Sequence, residues 1–192
     1  MDPQGPADAR RDLETIRSLM ERSRHYRHLP GPAAIVAGTL ALGGAYATHV
    51  LGDGDLARLG MVWGGVFALS VLSLLAFVKL ETSREGVAMW SPLAIEVAHA
   101  LWPPFVAAVA MTLALLDRPA LIAPLWILSY GVGALAAGAF ARPAVRGLGL
   151  AFLAAGIAVL AHPLAPAVSL GATFGGFHWV FGCVLLLKPS KP

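Results

Sequence analysis

The chain has 192 residues, 57% of them hydrophobic and 13% charged, and its mean hydropathy of +0.71 lies outside ordinary soluble usage, so the sequence reads as one built for lipid. A formal charge of +3 with a pI near 9.4 would suit nucleic acid, but the basic residues sit at the edges of apolar runs, where they answer to membrane topology. No nucleic-acid motif is present, and the single cysteine, Cys183, excludes an intrachain disulfide and a cysteine-based metal cluster.

Met1 to Ala7 is rich in Pro, Gly and Asp and reads as a frayed end. The polar segment that follows has no signal-peptide apolar region, so the first span is expected to act as its own insertion signal. Asp8 to His28 places Leu13, Ile16, Leu19 and Met20 at roughly helical spacing among charged residues, which predicts an amphipathic helix on the cytoplasmic side. Its arginines, Arg10, Arg11, Arg17, Arg22, Arg24 and Arg27, suit anionic headgroups at up to about 1 kcal/mol each near the surface. A soluble protein partner docking on the apolar stripe, or a solvated helix that only fixes orientation, fits the same pattern.

Leu29-Pro30-Gly31-Pro32 breaks that helix. The spans that follow are Ala33 to Leu51, Leu59 to Val78, Ser91 to Leu116, Ala120 to Phe140, Leu148 to Ala165 and Val168 to Leu187. Each has about the 20 residues that a ~30 Å hydrocarbon core requires. Lys79 to Trp90 reads as a polar loop. The expected architecture is all-α: a tail and amphipathic helix over residues 1–30, a six-helix transmembrane bundle over 31–188 and a short tail over 189–192. Twelve of the 14 Lys and Arg residues fall on one side of this arrangement, with only Arg58 and Arg118 on the other. By the positive-inside rule both termini are then cytoplasmic.

Gly60 and Gly64 in the second span, and Gly171 and Gly175 in the sixth, form GxxxG pairs that allow helices to approach closely. They are read mainly as packing within the bundle, with homodimerisation through one as the alternative.

The third span carries Glu96, His99 and Pro103-Pro104 within an apolar run. Glu96 and His99 share a helix face, and the prolines free the backbone carbonyls of His99 and Ala100. Counting 1.5 Å per residue, His99 and His178 lie roughly 12 to 14 Å from the cytoplasmic side, with Tyr130 at a similar level, and His49 and His162 roughly 22 to 24 Å from it. In the sixth span Gly171, Gly175, His178 and Gly182 share one face, which leaves room beside the imidazole for a flat ligand or a close helix.

Two histidine layers resemble transmembrane b-type cytochromes in architecture. That likeness makes His99, His178, His49 and His162 candidate ligands of haem b in an electron carrier. A metal site from His99, His178 and Glu96 is chemically permissible but has no signature spacing. A polar cluster of Glu96, His99, Ser129, Tyr130, Thr173 and His178 is the third candidate, as a proton or solute path. No nucleophilic motif supports catalysis. A proline kink with His99 bonded to a neighbouring helix and Glu96 near the cytoplasmic headgroups remains the structural alternative to all of these.

Glu21 to Tyr46, ERSRHYRHLPGPAAIVAGTLALGGAY, and Gly171 to Gly182, GATFGGFHWVFG, resemble a family of bacterial six-helix inner-membrane proteins of no assigned activity. These open with a short charged helix, a Leu-x-Gly break and a Gly/Ala-rich first span. The resemblance implies a bacterial inner-membrane location, gives weight to His178, and supplies no cofactor. The role expected from the whole sequence is a non-enzymatic sensor or scaffold in the lipid bilayer that presents its basic helix to a cytoplasmic partner or lipid surface. A haem-binding electron carrier and a small transporter are the alternatives.

Overall fold

The computed structural model describes Leu13, residues 30–52 and residues 55–187. The expected amphipathic helix and its arginines lie outside the described residues, apart from Leu13, which is helical and exposed. Among the described residues are six helices long and apolar enough to cross a membrane. They are α1 (Gly31–Leu51), α2 (Leu56–Glu85), α3 (Pro92–Ala114), α4 (Ile122–Ala137, entered through a 3-10 turn at Pro119–Leu121), α5 (Pro143–Ala161) and α6 (Pro166–Leu187). The protein is an all-α, multi-pass membrane protein, the architecture in which each backbone polar group is satisfied within its own segment.

Sequence signals set the helix ends. Proline opens α1, α3, α5 and α6, where its missing N–H costs nothing. Asp55 caps α2 by accepting from the Ala57 and Arg58 N–H groups at 3.0 and 3.1 Å, and Ser91 caps α3 by accepting from Ala94 N–H at 3.2 Å. The α2 helix departs from expectation, because Lys79 to Glu85 continue it to a length of 30 residues instead of forming a loop. Those residues are mostly good helix formers. The first true stop is Gly86, whose φ of 68° is the left-handed cap conformation that glycine adopts without penalty.

Arg146 Nε donates to the Gly138 carbonyl at 2.8 Å, and Arg58 donates to the Leu51 carbonyl at 3.1 Å. Each arginine thus also satisfies an open carbonyl at the end of the preceding helix, where a cation is favoured.

The α1 helix lies between α2 and α6, α4 lies between α3 and α5, and α6 joins the two groups by touching α1 on one side and α4 and α5 on the other. Phe67 of α2 meets Phe105 of α3 with ring centroids 5.4 Å apart. Of the most apolar stretch of each span, 44% of the residues are buried in α4 but only 6% in α2 and 11% in α3, so these two are the most outward-facing helices.

Close approach is concentrated at glycines. A Cβ on Gly149 would stand 2.5 Å from the Leu135 backbone nitrogen, and one on Gly131 would stand 2.9 Å from the Leu153 nitrogen, so α4 and α5 touch backbone to backbone. On the α1–α6 seam, a Cβ on Gly175 would lie 2.6 Å from Leu42 Cδ2, and one on Gly38 would lie 2.8 Å from the Gly175 carbonyl. The two GxxxG pairs therefore differ: Gly171 and Gly175 are packed against α1, while Gly60 and Gly64 face open space.

Three lateral hydrogen bonds repeat one device. Indole N–H groups of Trp63, Trp126 and Trp179 donate to Thr48, Thr112 and Thr39 at 3.1, 3.0 and 3.3 Å. Each threonine hydroxyl in turn donates to the carbonyl four residues back on its own helix. The single hydroxyl proton is used within the helix and a lone pair is offered across it. Such bonds tie α1 to α2, α3 to α4 and α1 to α6 where hydrocarbon offers no alternative partner.

Candidate functional site

The sixth span is not uniformly α-helical. Between Pro166–Leu170 and His178–Leu187 it winds as a π-helix over the seven residues Gly171–Phe177, GATFGGF. Such windings are rare, usually a single turn long, and frequent at functional sites. Three glycines and an alanine in this segment lessen the side-chain crowding of an irregular turn, and two of those glycines admit α1.

His178 follows this segment. Its backbone N–H bonds the Gly175 carbonyl, and its ring Nδ1 lies 2.9 Å from the Phe174 carbonyl. A carbonyl only accepts, so Nδ1 carries the proton. In the neutral ring Nε2 is then an acceptor, and the Tyr130 hydroxyl of α4 donates to it at 2.6 Å. The imidazole is thereby held at both nitrogens, by its own helix on one side and by α4 on the other.

Aromatic rings enclose the pair. Tyr130 stands 4.4 Å from Phe152 of α5, 5.2 Å from Phe174 of α6 and 6.1 Å from Phe105 of α3, centroid to centroid. Phe174 stacks on His178 with an interplanar angle of 11°, and Phe152 meets Phe177 edge-on. From α2, Trp63 reaches Phe174. Phe152 is fully buried and belongs to the main core cluster with Ile127 and Leu148. Five helices thus converge on one hydrogen bond in an apolar cage, where a satisfied bond is worth most and an unsatisfied one costs most.

The structure sorts the candidate residues sharply. Tyr130 and His178, placed in one layer by depth, are in contact. Thr173 is buried but donates to the Ser169 carbonyl at 2.7 Å, and Ser129 is half-buried beside Tyr130 in the chain. Glu96 and His99 are exposed on α3, opposite the side on which Ala94 and Val97 pack. His49 lies exposed in the last turn of α1, and His162 lies exposed just after α5. Glu96, His99 and His178 do not gather, and no group of three metal-ligating side chains forms among the described residues.

A haem held by His178 does not fit this arrangement. Both nitrogens of His178 are engaged by Tyr130 and Phe174. The glycine face expected to admit a flat ligand is filled by Ala45, Leu42 and Ile35 of α1, which crowd Gly171, Gly175 and Gly182. Of the two occupants that face allowed, the close helix is the one present.

Sequence reasoning passed over the Phe174 carbonyl and the cage formed by Phe105, Phe152, Phe174 and Phe177. The available signal was the Gly175-Gly176 pair just ahead of an intramembrane histidine, together with aromatic residues in four neighbouring spans. No protein-family profile, curated protein or solved structure matches the chain.

Proposed function

We propose that the protein is a non-enzymatic sensor or scaffold of the bacterial inner membrane, with both termini cytoplasmic. In this reading the Tyr130–His178 bond is a latch that sets how α6 lies against α1, and thereby how the basic N-terminal segment is presented to a cytoplasmic partner or an anionic lipid surface. One observation carries the reading: the residue held by the latch closes a π-helical segment whose glycines pack directly on α1.

A sensor needs an element with two arrangements and a contact made in only one of them. A π segment meets the first need, since rewinding it to α geometry changes the backbone register and turns the residues beyond it. The latch meets the second. Movement of α6 would reach α1 through Gly175 against Leu42 and through Gly182 against Gly31 and Ile35. Gly31 opens α1, immediately after the basic segment in the chain. Twelve basic residues on one side support the orientation.

Vesicle recruitment tests this reading. Protein reconstituted in zwitterionic liposomes is expected to capture anionic vesicles, and deletion of residues 8–28 is expected to abolish capture. Tyr130→Phe, which releases the latch without touching that segment, is expected to change capture about fivefold, the equivalent of ~1 kcal/mol. Capture that is unaltered by the deletion, or by Tyr130→Phe in a folded protein, would refute the corresponding half of the proposal.

A further inference from the structure

We propose that the outward face of α3 is a homodimer interface, formed about a two-fold axis along the membrane normal. In it, Glu96 of each copy meets His99 of the other. This face lies on the far side of α3 from its packed residues Ala94, Val97 and Ala108.

The first observation is an ionisable pair on the outward face of α3. Glu96 and His99 are both exposed, and neither has a hydrogen-bond or ion-pair partner among the described residues. Ionisable side chains within spans are costly and almost always turn toward the bundle interior or a watery cavity. Here both point away from the bundle.

The second observation is the pattern in which they sit. Ile95, His99, Trp102, Val106, Val109 and Leu113 succeed one another at spacings of four, three, four, three and four. All are exposed, the five apolar ones at 39%, 55%, 54%, 52% and 68%. They form one straight outward stripe along α3, so the polar pair sits in a continuous apolar surface that a facing helix could cover. The outer surface of α2 is equally apolar, yet it carries no ionisable group between Met61 and Val78.

Self-complementarity selects a second copy as the occupant. Acid and imidazole lie three residues apart, about 4.5 Å in height, which the two side chains span. A two-fold axis satisfies both groups twice with the same surface, as an isologous interface must. Topology makes the two α3 helices parallel, the arrangement in which a single polar residue in the seam fixes register and pairing.

Cysteine cross-linking in native membranes tests the proposal, in a Cys183→Ser background that removes the single native cysteine. Trp102→Cys and Val106→Cys are expected to give oxidised dimers at twice the 20.0 kDa monomer mass. Leu72→Cys, on the exposed face of α2, is the collision control and is expected to stay monomeric. Adding Glu96→Gln with His99→Leu to the Val106→Cys chain should lower dimer yield about fivefold, as expected for loss of ~1 kcal/mol of interhelical bonding. Monomer at every position, equal yield at Leu72→Cys, adducts to a different protein, or a yield indifferent to the Glu96/His99 change would each overturn the proposal.

Discussion

Gly149→Ala is expected to destabilise the bundle by about 3 kcal/mol, the upper part of the range for overpacking a tight interior, whereas Gly64→Ala is expected to cost nothing. The added methyl at position 149 would meet Leu135 N at 2.5 Å, Leu135 Cα at 2.9 Å and the Gly131 carbonyl at 3.0 Å. All three are backbone atoms and have no rotamer by which to withdraw. The α4 and α5 helices must then separate, and the contacts of Ile127 and Phe152 beneath them loosen. In lipid those contacts are the main source of helix association, because hydrocarbon offers no hydrophobic drive to replace them. At Gly64 the methyl would enter open space, and alanine is better than glycine within a helix by up to about 1 kcal/mol. Detergent-titrated unfolding of the two variants, followed by tryptophan fluorescence, measures the difference. Equal effects at the two positions would contradict the interhelix packing described for α4 and α5.

Tyr130→Phe is expected to cost about 2 kcal/mol, within the range for leaving a buried acceptor unmatched. The ring and its contacts with Phe105, Phe152 and Phe174 persist, and only the hydroxyl that donates to His178 Nε2 is lost. His178→Leu is expected to cost at least as much, because it strips partners from both Tyr130 and the Phe174 carbonyl. The double variant should be less destabilised than the two single losses combined, by about 1 kcal/mol or more, as for residues in direct contact. His99→Leu, on the outer face, should show no coupling to Tyr130→Phe. Strict additivity between Tyr130 and His178, measured in the same unfolding assay, would mean that their hydrogen bond contributes nothing.

Much of the scaffold was legible because lipid imposes simple demands. Six apolar runs of spanning length and prolines at helix starts are local signals of helices that can cross a membrane. The end of α2 was misplaced because Lys79 to Glu85 are polar without being helix-breaking. Polarity marks the edge of hydrocarbon, but only Gly86 ends the helix. The two GxxxG pairs look alike in sequence and are used oppositely, since the motif gives a flat surface and does not say which helix lies on it.

The same distinction explains the site. Counting residues along a span gives height, which is why His178, Tyr130 and His99 fell in one layer. Rotation about each helix axis and the order of helices around the bundle decide which members of a layer meet. Those depend on contacts such as Gly38 on Trp179 and Gly131 on Leu153, between residues far apart in sequence. The π segment was hidden for a related reason: GATFGGF permits a wide turn, but its packing against α1 and α5 is not written in the segment itself.

Nitrogen-15 NMR of the histidine side chains, in the full chain reconstituted in lipid, tests the Tyr130–His178 bond most directly. One imidazole is expected to be fixed as the neutral Nδ1–H tautomer, with an Nε2 signal marked by a strong hydrogen bond. That signal should be lost in His178→Leu, shifted by Tyr130→Phe and unmoved by His99→Leu. A His178 ring that averages between tautomers, or that responds to His99→Leu and ignores Tyr130→Phe, would contradict that bond.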